Sequence, residues 1–134
     1  MRVIFDNNIW ISFLIGKRLV SLQHVFTSSD VDILYCDELE REFLEIAHRP
    51  KIQKYVNEQQ VHRVHRLMTQ CCHRIKIADP ASMKVRDPKD VYLLALADAA
   101  NADYLVSGDS DLTDIHQYNR TAIIDVATFL ALAL

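Results

Sequence analysis

Tyr104-Leu105-Val106 is an apolar run that breaks off into a hydroxyl, a glycine and two aspartates, Ser107-Gly108-Asp109-Ser110-Asp111. A run this short and this apolar reads as a strand buried on both faces, the usual lot of a strand inside a parallel sheet. Ligands of such sheets gather outside the carboxyl ends of the strands, where Asp109 and Asp111 fall. Gly108 is one of only two glycines in the chain. It reads as the residue whose backbone freedom turns Ser107 and Asp109 toward one site.

The rest of the chain alternates strand-like and helix-like stretches. Arg2 to Phe5 reads as a first strand and stops at Asp6. Asn7 or Asn8 is placed to cap a helix through Ile9 to Leu14, which Gly16 ends as a C′ glycine. Leu19 to Phe26 reads as a second helix and Val31 to Cys36 as a second strand. Asp37 is placed to cap a helix running to His48, on which Leu39, Phe43, Ile46 and Ala47 form the apolar arc. Glu42 lies at the edge of that arc, whereas Glu38 and Glu45 fall toward the polar side. Arg49-Pro50-Lys51 breaks the helix. Asn57 to Cys72 reads as a helix burying Val61, Val64, Met68 and Cys71 or Cys72, with His62, Arg63, His65, Arg66 and His73 opposite. His62-x-x-His65 has no acid or Cys nearby in sequence, so it reads as part of a solvated basic face rather than a metal pair.

Arg74 to Ile77 alternates and predicts an edge strand, because Arg74 and Lys76 need solvent. Asp79 to Val85 is polar linker, and Asp87-Pro88 is a helix start with Asp at N-cap and Pro at N1. Lys89 to Ala100 is apolar nearly all round and predicts a deeply packed helix with Asp90 in its first turn and Asp98 on the surface. After the stretch around Asp109, a short turn or helix runs to His116. Ala122 to Ile124 predicts a fifth strand. The last helix, Val126 to Leu134, carries no charge, and either packs across the sheet or meets another copy.

With 134 residues and half of them hydrophobic, the chain is expected to form one domain, 1–134. No apolar run approaches the ~18 residues that span a bilayer, and residues 1–16 lack a basic leader start, so a cytoplasmic protein is expected. Cys36, Cys71 and Cys72 form neither a disulfide framework nor a zinc spacing. Charge is divided: from His48 to Lys89 there are ten Lys/Arg against three Asp/Glu, and the remainder is acidic. That division suits a protein that gathers cations with one part and a polyanion with another.

Alternating strands and helices predict an α/β fold with a mostly parallel sheet, whose strand ends share one edge. Asp6 and Asp109 follow strands, and Glu42 and Asp90 sit on helices that border the sheet. Four carboxylates from four elements can therefore converge. Close carboxylates raise one another's pKa, and hard divalent cations, Mg²⁺ or Mn²⁺, relieve the repulsion with oxygen ligands. Phosphodiester hydrolysis follows from such a set, since the metal acidifies the attacking water and neutralises the leaving oxygen. A phosphoryl-transfer domain with Asp6 as nucleophile would need a second Asp at position 8 or a Lys after a later strand, and neither pattern is met.

Asp6-Asn7-Asn8, Glu42-Phe43-Leu44-Glu45-Ile46, Arg49-Pro50-Lys51, Asp87-Pro88-Lys89-Asp90 and Ser107-Gly108-Asp109-Ser110-Asp111-Leu112 occur in the order seen in PIN-domain ribonucleases. The chain resembles that family, and within it the small single-domain VapC-like toxins of toxin–antitoxin pairs. The resemblance implies a three-layer α/β/α fold with a five-stranded parallel sheet and a divalent-metal-dependent endoribonuclease. It makes Asp6, Glu42, Asp90 and Asp109 the catalytic metal-binding acids, with Asp111 as an auxiliary acid and Asn8 and Ser107 as polar residues that orient them. It implies that the basic segment, through Arg49, Lys51, Arg86 and Lys89, guides RNA to the acidic pocket, and that partners include a small antitoxin and a second copy in a homodimer. Asn7 stands where the family usually has Thr or Ser. The competing expectation is a PIN-like module kept for binding or assembly without catalysis, against which the full acidic set argues.

Overall fold

A computed structural model of the chain describes residues 1–16, 19–77 and 88–133; for residues 17–22 and 78–90 no side chain is described. Asp79 to Val85, Arg86 and Asp87 therefore lie outside the described residues. The elements run β1 (Arg2–Phe5), α1 (Asn7–Ile15), α2 (Leu19–Thr27), β2 (Asp32–Tyr35), α3 (Asp37–Ala47), α4 (Pro50–Gln53), α5 (Glu58–Cys71), β3 (His73–Arg74), α6 (Pro88–Ala100), β4 (Tyr104–Val106), α7 (Ser110–Thr113), β5 (Gln117–Tyr118), β6 (Thr121–Ile124) and α8 (Val126–Ala133).

The strands form one sheet of order β3-β2-β1-β4-β6-β5 between helical layers, the three-layer α/β/α arrangement expected. Five strands are parallel: Ile4 pairs with Leu34 and Leu105, and Val106 with Ile124. Among the described residues the expected five-stranded sheet is corrected to six. Gln117–Tyr118 adds an antiparallel edge to Thr121–Ala122, turning through Asn119, whose φ of 52° is left-handed. Two-residue strands carry no readable period, so the signal was confined to an Asn able to adopt that conformation. The expected strand Arg74–Ile77 is likewise shorter, though it does occupy an edge. Ile75 still donates its N–H to the Tyr35 carbonyl at 2.8 Å, after which pairing stops.

Helix ends differ from expectation at two acidic or polar positions. Asp6, not Asn7 or Asn8, caps α1, because its carboxylate accepts from the Asn7 amide at 2.6 Å while both Asn side chains are drawn elsewhere. Cys36 rather than Asp37 occupies the N-cap of α3, and Asp37 takes its first turn, where it favours the positive helix end and pairs with Arg74. Gly16 ends α1 as expected, at a φ of 94° that suits glycine. Arg49-Pro50-Lys51 does end α3, but Pro50 then opens the one-turn helix α4 with Pro at N1. Asn57 caps α5 in a capping box with Gln60.

The core holds both helical layers on the sheet. Val3, Ile4, Phe5, Leu34, Leu105 and Val106 are sealed within it, with Leu39, Phe43, Met68, Leu93, Leu94 and Leu96 packed from the helices. Phe5, Trp10, Phe26, Phe43 and Phe129 form an aromatic cluster with ring centroids 5.4–6.4 Å apart, mostly edge to face. Cys36 and Cys72 are buried, which pushes both thiols up to about 12, whereas Cys71 is exposed. On α8, Phe129 is driven fully into the core, while Leu132 stays 53% exposed. No described helix is long and apolar enough to cross a membrane.

The chain leaves β1 toward β2 and β3 on one side and returns through β4 and β6 on the other. The crevice of an open parallel sheet forms where the order reverses. Here that place lies beyond the ends of β1 and β4, where Asp6 and Asp109 emerge.

Candidate metal centre

The ladder continues one residue past each strand at this crevice. Asp6 donates its N–H to the Val106 carbonyl at 2.9 Å, and Ser107 donates to that of Ile124 at 3.0 Å. Both side chains are thereby fixed at the sheet edge. Asp6 is only 8% exposed, and its carboxylate accepts from Ser107 Oγ at 2.7 Å, Asn8 Nδ2 at 3.1 Å and the Asn7 amide. Burial raises the Asp6 pKa above the ordinary carboxylate range; the hydrogen bonds from Ser107 and Asn7 oppose this, and the charges of Glu42 and Asp109 add to it.

Asn8 straps the two loops together. Its Nδ2 serves Asp6, while its Oδ1 accepts from the Gly108 amide at 3.1 Å. Ser107 Oγ accepts in turn from the Asp109 amide at 3.0 Å, and Asp109 Oδ1 accepts from that of Asp111, capping α7. The reading of Gly108 as a conformational necessity is corrected: it does not have a positive φ, and a Cβ there would meet Asn8 Oδ1 at an ordinary 3.6 Å. The turn is set by the Ser107 and Asn8 side chains.

Glu42 reaches the crevice from α3, held by two donors. Asn7 Nδ2 and Tyr92 Oη each donate to its Oε1 at 2.9 Å, and Asn7 Nδ2 also reaches the Leu39 carbonyl at 3.1 Å. Among the described residues Glu42 forms no ion pair. Burial, reinforced by the neighbouring Glu42 carboxylate, pushes the Tyr92 hydroxyl far up, so it stays a donor at any working pH. The hold of Asn7 and Tyr92 on Glu42 is a contact that the sequence pattern did not single out. A tyrosine in a helix apolar all round requires a buried partner for its hydroxyl, and that requirement was the available signal.

Asp6, Asn7, Asn8, Glu42, Asp109 and Asp111 line one open cleft of about 540 Å³, with Ile11, Ile46 and Leu93 as its apolar wall. Glu45 and Arg49 line it too, joined by two hydrogen bonds of 2.8 and 3.0 Å. Arg49 is therefore already charge-paired where it meets the cleft. Asp90 lies in the first turn of α6, as expected, but its side chain is outside those described, as is that of Lys89. His65 is not a metal ligand here: it pairs with Glu40 at 2.8 Å while His62 is exposed.

The acids lining the cleft fit a hard cation. They offer oxygen without His or Cys, the donor set of Mg²⁺ or Mn²⁺ rather than Zn²⁺. Among the described residues Glu42 Oε2, Asp109 Oδ2 and the Asp111 carboxylate have no hydrogen-bond partner, and Asn7 Oδ1 is buried and unpaired. Among those residues no three acids, His or Cys are gathered tightly enough to cage an ion. The fit is that of a wide site completed by water, as Mg²⁺ prefers. If Tyr92 orients Glu42 toward such an ion, Tyr92→Phe keeps the fold and weakens Mn²⁺ binding about 10- to 100-fold. Calorimetric titration that finds unchanged affinity would remove the phenol from that role.

A family model described as PIN domain matches residues 2–111. No curated protein matches the chain.

Proposed function

The chain belongs to the PIN-domain family, a nuclease-type fold, and from that premise we propose that it is a divalent-metal-dependent endoribonuclease acting as the toxin of a toxin–antitoxin pair. The observation that carries this reading is the buried, raised-pKa Asp6 facing Glu42 and Asp109 in a single cleft at the sheet's topological switch. A binding module gains no stability from carboxylates brought together in this way, since they repel one another.

Asp6, Glu42, Asp109 and Asp111 would hold Mg²⁺ or Mn²⁺, with Asp90 as a further acid from α6. Bound there, the ion supplies a water of lowered pKa and charge neutralisation at the leaving oxygen. The chain's own residues prepare the place. Ser107 and Asn8 fix the Asp6 carboxylate, and Asn7 and Tyr92 occupy Glu42 Oε1 so that Oε2 remains available. Ile11, Ile46 and Leu93 lower the local dielectric, which strengthens each of these interactions.

A small antitoxin that covers the cleft or inserts a basic side chain would silence the enzyme, and the uncharged α8, with Leu132 exposed, is the surface proposed for homodimer contact. The proposal is tested by incubating the protein with total RNA and Mn²⁺, with and without EDTA. Cleavage that needs the metal is expected. Absence of metal-dependent cleavage on every RNA would leave the inactive binding module as the better reading.

A further inference from the structure

The described cations differ in whether a carboxylate already answers them. Arg41, Arg49, Arg74 and Arg120, with His48, His65 and His73, each lie within 4 Å of a carboxylate. His24, Lys76 and His116 are exposed and meet no carboxylate among the described residues, and the same holds for Lys51, Lys54, His62, Arg63 and Arg66. These last five follow one another along α4 and the first half of α5.

Between them stands Tyr55, at 67% the most exposed large hydrophobic side chain described. Its backbone is anchored: its amide donates to the Ile52 carbonyl at 2.9 Å, Val56 beside it is buried, and Asn57 locks the start of α5. One exposed ring is unremarkable by itself. An exposed ring on an anchored backbone among unpaired cations is the composition of single-strand platforms, where bases stack on aromatics and phosphates meet Lys and Arg.

The neighbourhood is arranged for an anion. Glu58, Gln59, His62, Arg63 and Arg66 line an open concavity of about 380 Å³ on α5. Glu58, its one carboxylate, is engaged by His48 at 3.0 Å, which reduces its repulsion of a phosphate. Arg49, which lines the acidic cleft, is also the N-cap residue of α4, so the chain passes directly from the cleft into this corner.

We infer that the α4–α5 corner is a dock for single-stranded RNA, which stacks a base on Tyr55, lays its phosphates along Lys51, Lys54, Arg63 and Arg66, and enters the cleft past Arg49. The choice of RNA rests on the nuclease reading, and the dock moves the RNA-binding surface away from the already paired Arg49. Recognition would be of backbone and base face, without sequence readout.

Binding of a labelled single-stranded oligouridylate is measured by fluorescence anisotropy over a salt series, with EDTA present and in an Asp6→Asn background so that cleavage is suppressed. Tyr55→Ala is expected to weaken binding about tenfold with the salt slope unchanged, and Tyr55→Trp to restore it. Arg63→Ala with Arg66→Ala is expected to lower the slope by about 0.7 for each phosphate that is no longer neutralised. Unchanged affinity and slope in these variants would overturn the dock. So would polyglutamate binding as tightly as RNA and indifferent to Tyr55→Ala, which would mark the surface for an acidic protein. The two readings fail separately. If the parent cleaves no RNA but the binding series behaves as stated, the hydrolase fails and the dock stands. If the parent cleaves and the corner variants leave KM for long RNA unchanged, the dock fails alone.

Discussion

Asp6→Asn is expected to lower metal-dependent RNA cleavage by about a hundred- to a thousandfold while leaving the metal-free protein at least as stable as the parent at neutral pH. The first half follows from the proposed role of Asp6 as a ligand: a metal site contributes several kcal/mol to stabilising developing charge, at about 1.4 kcal/mol for each factor of ten. The second half follows from the sign of the Asp6 shift. Burial raises its pKa in the folded state, so the folded chain holds the proton more tightly than the unfolded one. Stability from Asp6 is therefore fully present below the ordinary carboxylate pKa of about 4 and is lost as pH rises through the raised value. An amide of the same shape escapes that loss; Ser107 Oγ can rotate to accept from its nitrogen, and the one bond given up is the longer donation from Asn8 Nδ2, at 3.1 Å.

Excess Mg²⁺ reverses the order. Ligand binding stabilises the parent by about 2.7 kcal/mol at a hundred times Kd and leaves the variant behind. Thermal unfolding at neutral pH, with and without Mg²⁺, checks both halves. A variant less stable than the parent without metal would show that the Asp6 carboxylate is there for its hydrogen bonds.

Phe43→Ala is expected to cost about 3–5 kcal/mol, a large share of the roughly 5–15 kcal/mol that holds a domain together. Phe43 is fully buried, and its ring lies 6.4 Å from that of Trp10. It is the anchor of α3 against α1, the packing that brings Glu42, one residue earlier, to Asn7. The cavity would loosen the helix that carries Glu42, so metal affinity falls with stability. Urea unfolding measures the loss as a lower midpoint at an unchanged slope. A cost under about 1 kcal/mol would mean that α3 is held by its polar interactions instead.

The parallel order and the acidic edge were legible because both rest on strong local signals. Asp6 and Asp109 interrupt apolar runs, and Glu42 sits at a helix edge whose apolar arc fixes the helix rotation. The resemblance located the family for the same reason, since its motifs are those interruptions. What escaped was nonlocal. The clamp on Glu42 joins Asn7 to Tyr92 across 85 positions of sequence, so no spacing rule relates them. The Asp6 carboxylate that faces the cleft also caps α1, a double use that no local pattern announces. The turn at Gly108 is held by a side-chain bond from Asn8, a hundred residues earlier, which a local glycine signal does not reveal.

Calorimetric titration of Mn²⁺ into the parent, Asp6→Asn and Asp109→Asn at neutral pH tests most directly whether these acids form one metal centre. The account predicts saturable binding to the parent, abolished or weakened at least tenfold in each variant although Asp6 and Asp109 arise about a hundred residues apart. Binding of equal strength in all three proteins would contradict it.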